Sequence, residues 1–231
     1  MKTVVLFDID GTLLLSNSAG RVAMENALTS TFGAAGPSSY RYDGKTDKLI
    51  VRETMRLEGF SDAEIDARMD EVITKYLAGL REELASGRRN AYALPGIHPL
   101  VDAVEAADDL VLGLLTGNVV EGAGVKLRAV SLAPERFVLG AYGSDHEERP
   151  QLPPIAQQRA IAHLGHHVPG ERLVIIGDTP ADVHCGRGVG ARAIGVATGG
   201  YSVADLEAHD PFATFSDLTD TARVLEVIRD A

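Results

Sequence analysis

Two aspartates, Asp8 and Asp10, stand directly behind the apolar run Val4 to Phe7 in the stretch VVLFDIDGTLL, with Gly11 and Thr12 following at once. Carboxylates crowded at the end of a buried strand repel each other and lose hydration, so a positive partner is required. Two other stretches are built the same way. LVLGLLTGN ends in Thr116, Gly117 and Asn118, and RLVIIGDTPAD ends in Asp178 and Asp182. Open parallel sheets bind ligands beyond the carboxyl ends of their strands. At one such rim Asp8, Asp10 and Asp178 form a dense anionic cluster. A hard cation with oxygen ligands compensates it, and Mg2+ shared between carboxylates and a substrate phosphate fits best. Without the ion, the carboxylate pKa values are expected to rise.

The elements that must position these groups are legible as short, β-branched-rich runs: Val4 to Phe7, Leu110 to Leu115, Arg172 to Gly177, Ala191 to Ala197 and, more weakly, Arg136 to Tyr142. Helical segments such as Pro99 to Ala107 and Pro154 to Leu164 lie between them. That alternation predicts a doubly wound α/β core with a parallel, Rossmann-like sheet. Between Ser16 and Asn90 the alternation stops and helical periodicity takes over. Helices are predicted over Ala19 to Phe32 and Asp47 to Leu57, and a third opens on the capping box Ser61 to Glu64. Its apolar stripe runs through Ile65, Met69, Val72, Ile73, Tyr76, Leu77 and Leu80. The expected organisation is a core of residues 1–15 and 91–231, interrupted by an all-helical insert, residues 16–90, on two hinges.

The 231 residues are enough for a sizeable core, and 45% hydrophobic and 24% charged residues are ordinary for a globular protein. A formal net charge of -11 argues against a nucleic-acid surface and means that an anionic substrate needs a local cation. One cysteine, Cys185, excludes an internal disulfide framework. With no secretory signal or membrane span in view, a cytoplasmic location is expected. Gly11 permits a tight turn behind the aspartates.

In that order, DIDGT, LLTGN and GDTPAD resemble the motifs of the haloacid dehalogenase superfamily, and GKTD (Gly44 to Asp47) is similar to a cap-loop motif of its phosphoglycolate-phosphatase-like branch. The resemblance covers nearly the whole chain, with the helical insert where that family carries its first-type cap. It implies a Mg2+-dependent phosphomonoesterase in which Asp8 becomes an aspartyl phosphate and Asp10 is the general acid and base. Mg2+ would be held by the Asp8 and Asp178 side chains and the Asp10 main-chain carbonyl. Thr116 matches the phosphate-binding hydroxyl, and the amides around Gly117 and Asn118 add donors. Thr12 is expected to orient Asp10, and Asp182 to support the metal site from behind. Where the family usually has a lysine before proline, ERPQLPPIA has Arg149, with Lys126 as the less favoured substitute. Lys45 is the cap candidate for touching a small phosphate ester, and phosphoglycolate is the first substrate suggested by the resemblance.

A phosphoglucomutase-like transferase shares these core motifs and is the nearest rival. The dehalogenase and phosphonatase branches lack an acid/base aspartate two residues after the nucleophile. A receiver-type signalling domain or a non-catalytic metal- or phosphate-binding module leaves Asp10 and the helical insert without a role. HLGHH (His163 to His167) reads as a solvated helix end and Cys185 as a packed hydrophobe.

Overall fold

A computed structural model describes residues 2–231. Its strands are β1 (Thr3–Phe7), β2 (Leu14–Leu15), β3 (Tyr92–Ala93), β4 (Leu110–Thr116), β5 (Leu139–Tyr142), β6 (Leu173–Gly177), β7 (Arg192–Val196) and β8 (Ala213–Phe215). Its helices are α1 (Ala19–Phe32), α2 (Asp47–Leu57), α3 (Asp62–Asp66), α4 (Met69–Ala85), α5 (Ile97–Ala106), α6 (Val120–Ala129), α7 (Leu152–Leu164), α8 (Pro180–Cys185), α9 (Val203–Glu207) and α10 (Thr221–Asp230).

Six strands form a parallel sheet in the spatial order β5–β4–β1–β6–β7–β8. β1 is central: Val5 is in register with Leu112 of β4 on one side and Val174 of β6 on the other. The period-two alternation of strand side chains sends Val5 and Phe7 to one face, where they meet Leu100 of α5, Leu127 of α6 and Val224 of α10. Val4 and Leu6 go to the other, against Leu152 and Ala156 of α7 and Cys185 of α8. Every β1 residue is therefore buried, each large apolar side chain contributing about 1.5–3 kcal/mol. The doubly wound core is as expected.

The chain leaves β1 for β4 and β5 on one side, then crosses to β6, β7 and β8 on the other. The loops after β1, β4 and β6 open into that crossover crevice.

Helices α1 to α4 lie in sequence between β2 and β3 and build their own apolar cluster, including Met24, Leu28, Met55, Ile65, Val72, Tyr76 and Leu80. α1 and α4 pack closely because small residues face each other; a Cβ on Gly79 would lie 3.4 Å from that of Ala23. Ser61 caps α3 as its capping box requires. The single helix predicted after Ser61 is two: the chain leaves helical geometry at Arg68, whose guanidinium lies over the Phe32 and Phe60 rings. The antiparallel pair β2–β3, where the chain enters and leaves this segment, is too short for periodicity to reveal. β8 and α10 were not anticipated either. Among the described residues no helix is long and apolar enough to cross a membrane.

Candidate active site

Asp8 is the first residue past β1, and its N–H still donates to Ile176 O of β6 (2.9 Å), which fixes its direction. Gly11 then turns the chain with φ +82°. That turn aims Thr12 at the neighbouring strand end, where its hydroxyl donates to Asp178 Oδ1 (3.2 Å). The expectation that Thr12 orients Asp10 is therefore corrected: its partner is Asp178. One oxygen each of Asp8, Asp178 and Asp182 lie within 4.8 Å of one another, and all three residues are buried.

Arg149, in the 3-10 turn that leads into α7, is buried and places Nη2 3.1 Å from Asp8 Oδ1. The same nitrogen pairs with Asp182 Oδ1. The other Asp182 oxygen accepts from the Thr179 N–H (3.0 Å) and hydroxyl (2.6 Å) in the capping box of α8. Asp182 thus has both oxygens engaged and holds Arg149 against Asp8. The cation beside Asp8 is Arg149 and not Lys126.

Lys126 reaches a different carboxylate. Its Nζ lies 2.6 Å from Asp10 Oδ2 and donates to Asn118 Oδ1 at 2.6 Å. Asn118 Nδ2 donates to the same Asp10 oxygen (2.8 Å) and to Thr116 Oγ1 (2.8 Å). Asp10 is therefore held by one oxygen. Thr116 accepts from Asn118 twice, through Nδ2 and the backbone N–H (3.3 Å), so its own hydroxyl proton is left to donate.

The loops after β1, β4 and β6 and the helical segment enclose a cavity of about 440 Å3. Asp8, Asp10, Thr116, Asn118, Arg149 and Asp178 line its floor; Tyr42, Lys45, Asp47 and Tyr76 line its helical wall. Burial pushes Asp8 up to about 6, with Asp182 and Asp10 adding to the rise and Arg149 opposing it. Burial, then Asp182 and Asp8, hold Asp178 well above the usual carboxylate range. Positive charge is therefore in deficit. Gly11 and Gly199 back directly onto the Asp178 carboxylate, which a Cβ on either would overlap. An oxygen-only, anionic and buried donor set that lines the cavity fits a hard divalent cation.

Lys45 lines the cavity but is paired with Glu53 (2.5 Å) and touches the Tyr40 hydroxyl (2.7 Å). Gly117 joins the wall to the floor, its O accepting from the Asp47 N–H (2.8 Å), while Asn118 O accepts from the N–H of Gly143 just after β5 (2.9 Å). Asp47 closes the GKTD motif: its Oδ2 accepts from the Val119 N–H (2.8 Å), and burial pushes its carboxyl up to about 6 despite nearby Lys126. Tyr76 read only as part of an apolar stripe, and nothing in the sequence marked Tyr42.

The family model for haloacid dehalogenase-like hydrolases matches residues 5–187. The chain belongs to this family. Solved structures of the same architecture include a hydrolase from Pseudomonas syringae, with TM-score 0.74, 22% identity, and coverage of 97% of this chain and 98% of that one. A predicted phosphoglycolate phosphatase from Haemophilus somnus 129pt aligns with TM-score 0.70 and 16% identity over 97% and 98%. CbbY from Rhodobacter sphaeroides in complex with phosphate aligns with TM-score 0.66 and 22% identity over 95% and 96%. These likenesses establish the fold. No curated protein matches the chain at a significant level.

Proposed function

We propose that this hydrolase is a Mg2+-dependent phosphomonoesterase that acts on a small organophosphate through an aspartyl phosphate on Asp8. The observation that carries the reading is the buried Asp8 carboxylate, 3.1 Å from Arg149 and grouped with Asp178 at the carboxyl ends of adjacent strands. The Asp8 and Asp178 side chains with the Asp10 main-chain carbonyl would hold Mg2+, which screens the phosphoryl charge from the nucleophile and stabilises charge on the group in transfer.

The remaining work falls to side chains of this protein. An Asp8 oxygen forms the bond to phosphorus as the ester oxygen leaves, and Asp10 gives that oxygen its proton. Lys126 and Asn118 hold one Asp10 oxygen, which leaves the other for proton transfer. Asp10 then takes a proton from water as the water oxygen attacks phosphorus, which frees phosphate and restores Asp8. Arg149 neutralises Asp8 and grips phosphoryl oxygen, and the Thr116 proton supplies a further donor. Residues 16–90 act as a cap over the floor and choose the leaving group.

The test is inorganic phosphate release from a panel of phosphate esters with Mg2+ and with EDTA, for the native protein and Asp8→Asn. Release that needs Mg2+ and vanishes in the variant is the expected result. Robust release by Asp8→Asn would defeat the assignment.

A further inference from the structure

The two side chains that hold Asp10 come from one stretch of chain. Lys126 Nζ lies 2.6 Å and Asn118 Nδ2 2.8 Å from Asp10 Oδ2. Asn118 directly precedes Val119, from which α6 starts, and Lys126 follows two turns along that helix. Val119, Gly122 and Lys126 repeat at i, i+3 and i+7, so they share the face of α6 that is turned to the helical segment. Val119 is buried in the apolar cluster of that segment. A Cβ on Gly122 would lie 3.6 Å from Leu77 and 3.8 Å from Tyr76 of α4. A Cβ on Gly20 of α1 would lie 3.4 Å from Lys126 Nζ and 3.8 Å from the Tyr76 hydroxyl oxygen. The ammonium that holds Asp10 is therefore buried against α1 and α4.

Asp47, the first residue of α2, supplies a polar part of this docking. Its N–H donates to Gly117 O (2.8 Å) and its Oδ2 accepts from the Val119 N–H (2.8 Å), so it grips the chain on both sides of Asn118. The helix dipole also favours a carboxylate at the start of α6. Burial pushes the Asp47 carboxyl up, and Lys126 is the main charge opposing that rise. None of the steps at phosphorus uses Asp47, although it is buried and lines the cavity. Its bonds run instead to the segment from which Asn118 and Lys126 reach Asp10.

We propose that Asp47 is a positioning residue for the general acid: by gripping the chain on both sides of Asn118 it fixes the two groups that hold Asp10, and with them the delivery of a proton to the leaving oxygen. This rests on the phosphomonoesterase reading and deepens it. The helical segment then has a share in the chemical step as well as in the choice of leaving group. That share depends on the ester. An alkoxide needs the proton in order to leave, whereas p-nitrophenolate leaves without one.

The full chain with Mg2+ is assayed on p-nitrophenyl phosphate and on the alkyl phosphate that the ester panel finds fastest. Asp47→Ala should lower the ratio of kcat/KM for the alkyl ester over p-nitrophenyl phosphate by about tenfold, part of what a positioned general acid contributes. Both esters are read on the same preparation, so the ratio does not change with the fraction folded. Asp47→Asn keeps an oxygen for the Val119 N–H and should restore most of the ratio. Lys126→Met should lower the ratio at least as far, and adding Asp47→Ala to it should cost at most about a further twofold, because the two act on one group. An equal fall on both esters in Asp47→Ala, which a purely structural role would give, overturns the assignment. So does an unchanged ratio in Lys126→Met, or full additivity in the double variant. Each of these leaves the phosphomonoesterase reading standing. Absence of native turnover on both esters overturns that reading itself, and this inference with it.

Discussion

Replacing Asp8 by asparagine should abolish turnover and, in metal-free buffer, make the protein more stable. Asparagine is close in shape to a protonated aspartate, so the substitution removes the ionised form and little else. In the folded protein the Asp8 carboxyl is pushed from 3.8 up to about 6 by burial and by Asp182 and Asp10, net of the opposing attraction of Arg149. A folded-state pKa above the unfolded one means that the native state holds the proton more tightly. Below the unfolded value both states are protonated and nothing is lost. As pH rises through about 4 to 6 the folded protein loses stability, and above that window the full cost of about 3 kcal/mol is present. For a chain of this length such a gain raises Tm by about 6–12 °C. The assay is thermal unfolding of native protein and Asp8→Asn in EDTA at pH 8 and again near pH 4, followed by the same scans with Mg2+. The stabilisation should be largest at pH 8, shrink towards pH 4, and narrow at pH 8 when Mg2+ is added, because the ion favours the ionised native site. An Asp8→Asn protein less stable than the native one at pH 8 in EDTA would refute the claim that Asp8 sits in uncompensated negative charge.

Arg149→Met should destabilise the protein by about 3–5 kcal/mol, since it leaves Asp8 and Asp182 buried without their cation, and denaturant titration measures the loss. Phosphate release should fall with it, and Arg149→Lys should restore part of both. Thr12→Val deletes the hydrogen bond to Asp178 and should raise the Mg2+ concentration for half-maximal activity by about tenfold, with a smaller change in rate at saturating Mg2+. Cys185 is buried and its thiol is pushed up to about 12, so a thiol-alkylating reagent at pH 8 should label the folded protein far more slowly than the unfolded one.

The parts of this fold that could be read in advance are those in which one strand announces its own end. β1, β4 and β6 are continuous apolar runs, fully buried, each followed at once by the polar residues that face the crevice. The rest depends on relations a linear reading does not contain. The partner of Thr12 depends on the turn at Gly11, and a positive φ sends the side chain to β6 instead of back to Asp10. The sequence offers Lys126 only as a substitute for the cation beside Asp8, and it is the packing of α6 that delivers it to Asp10 instead. Tyr42 carries no pattern, because only the fold brings it to the cavity wall. β8 is three half-buried residues at the sheet edge, too short and too mixed to register.

One backbone contact ties the two halves of the cavity together. The loop that begins directly after Thr116, the last residue of β4, also receives the start of α2: Gly117 O accepts from the Asp47 N–H, and a Cβ on Gly117 would collide with the Lys45 backbone. Phosphoryl binding below and helical docking above therefore share a single peptide segment. Thermodynamic linkage makes such sharing reciprocal. Whatever factor by which an occupied floor tightens the lid, a docked lid tightens the floor by the same factor, so substitutions at either level will be felt in the apparent affinity of the other.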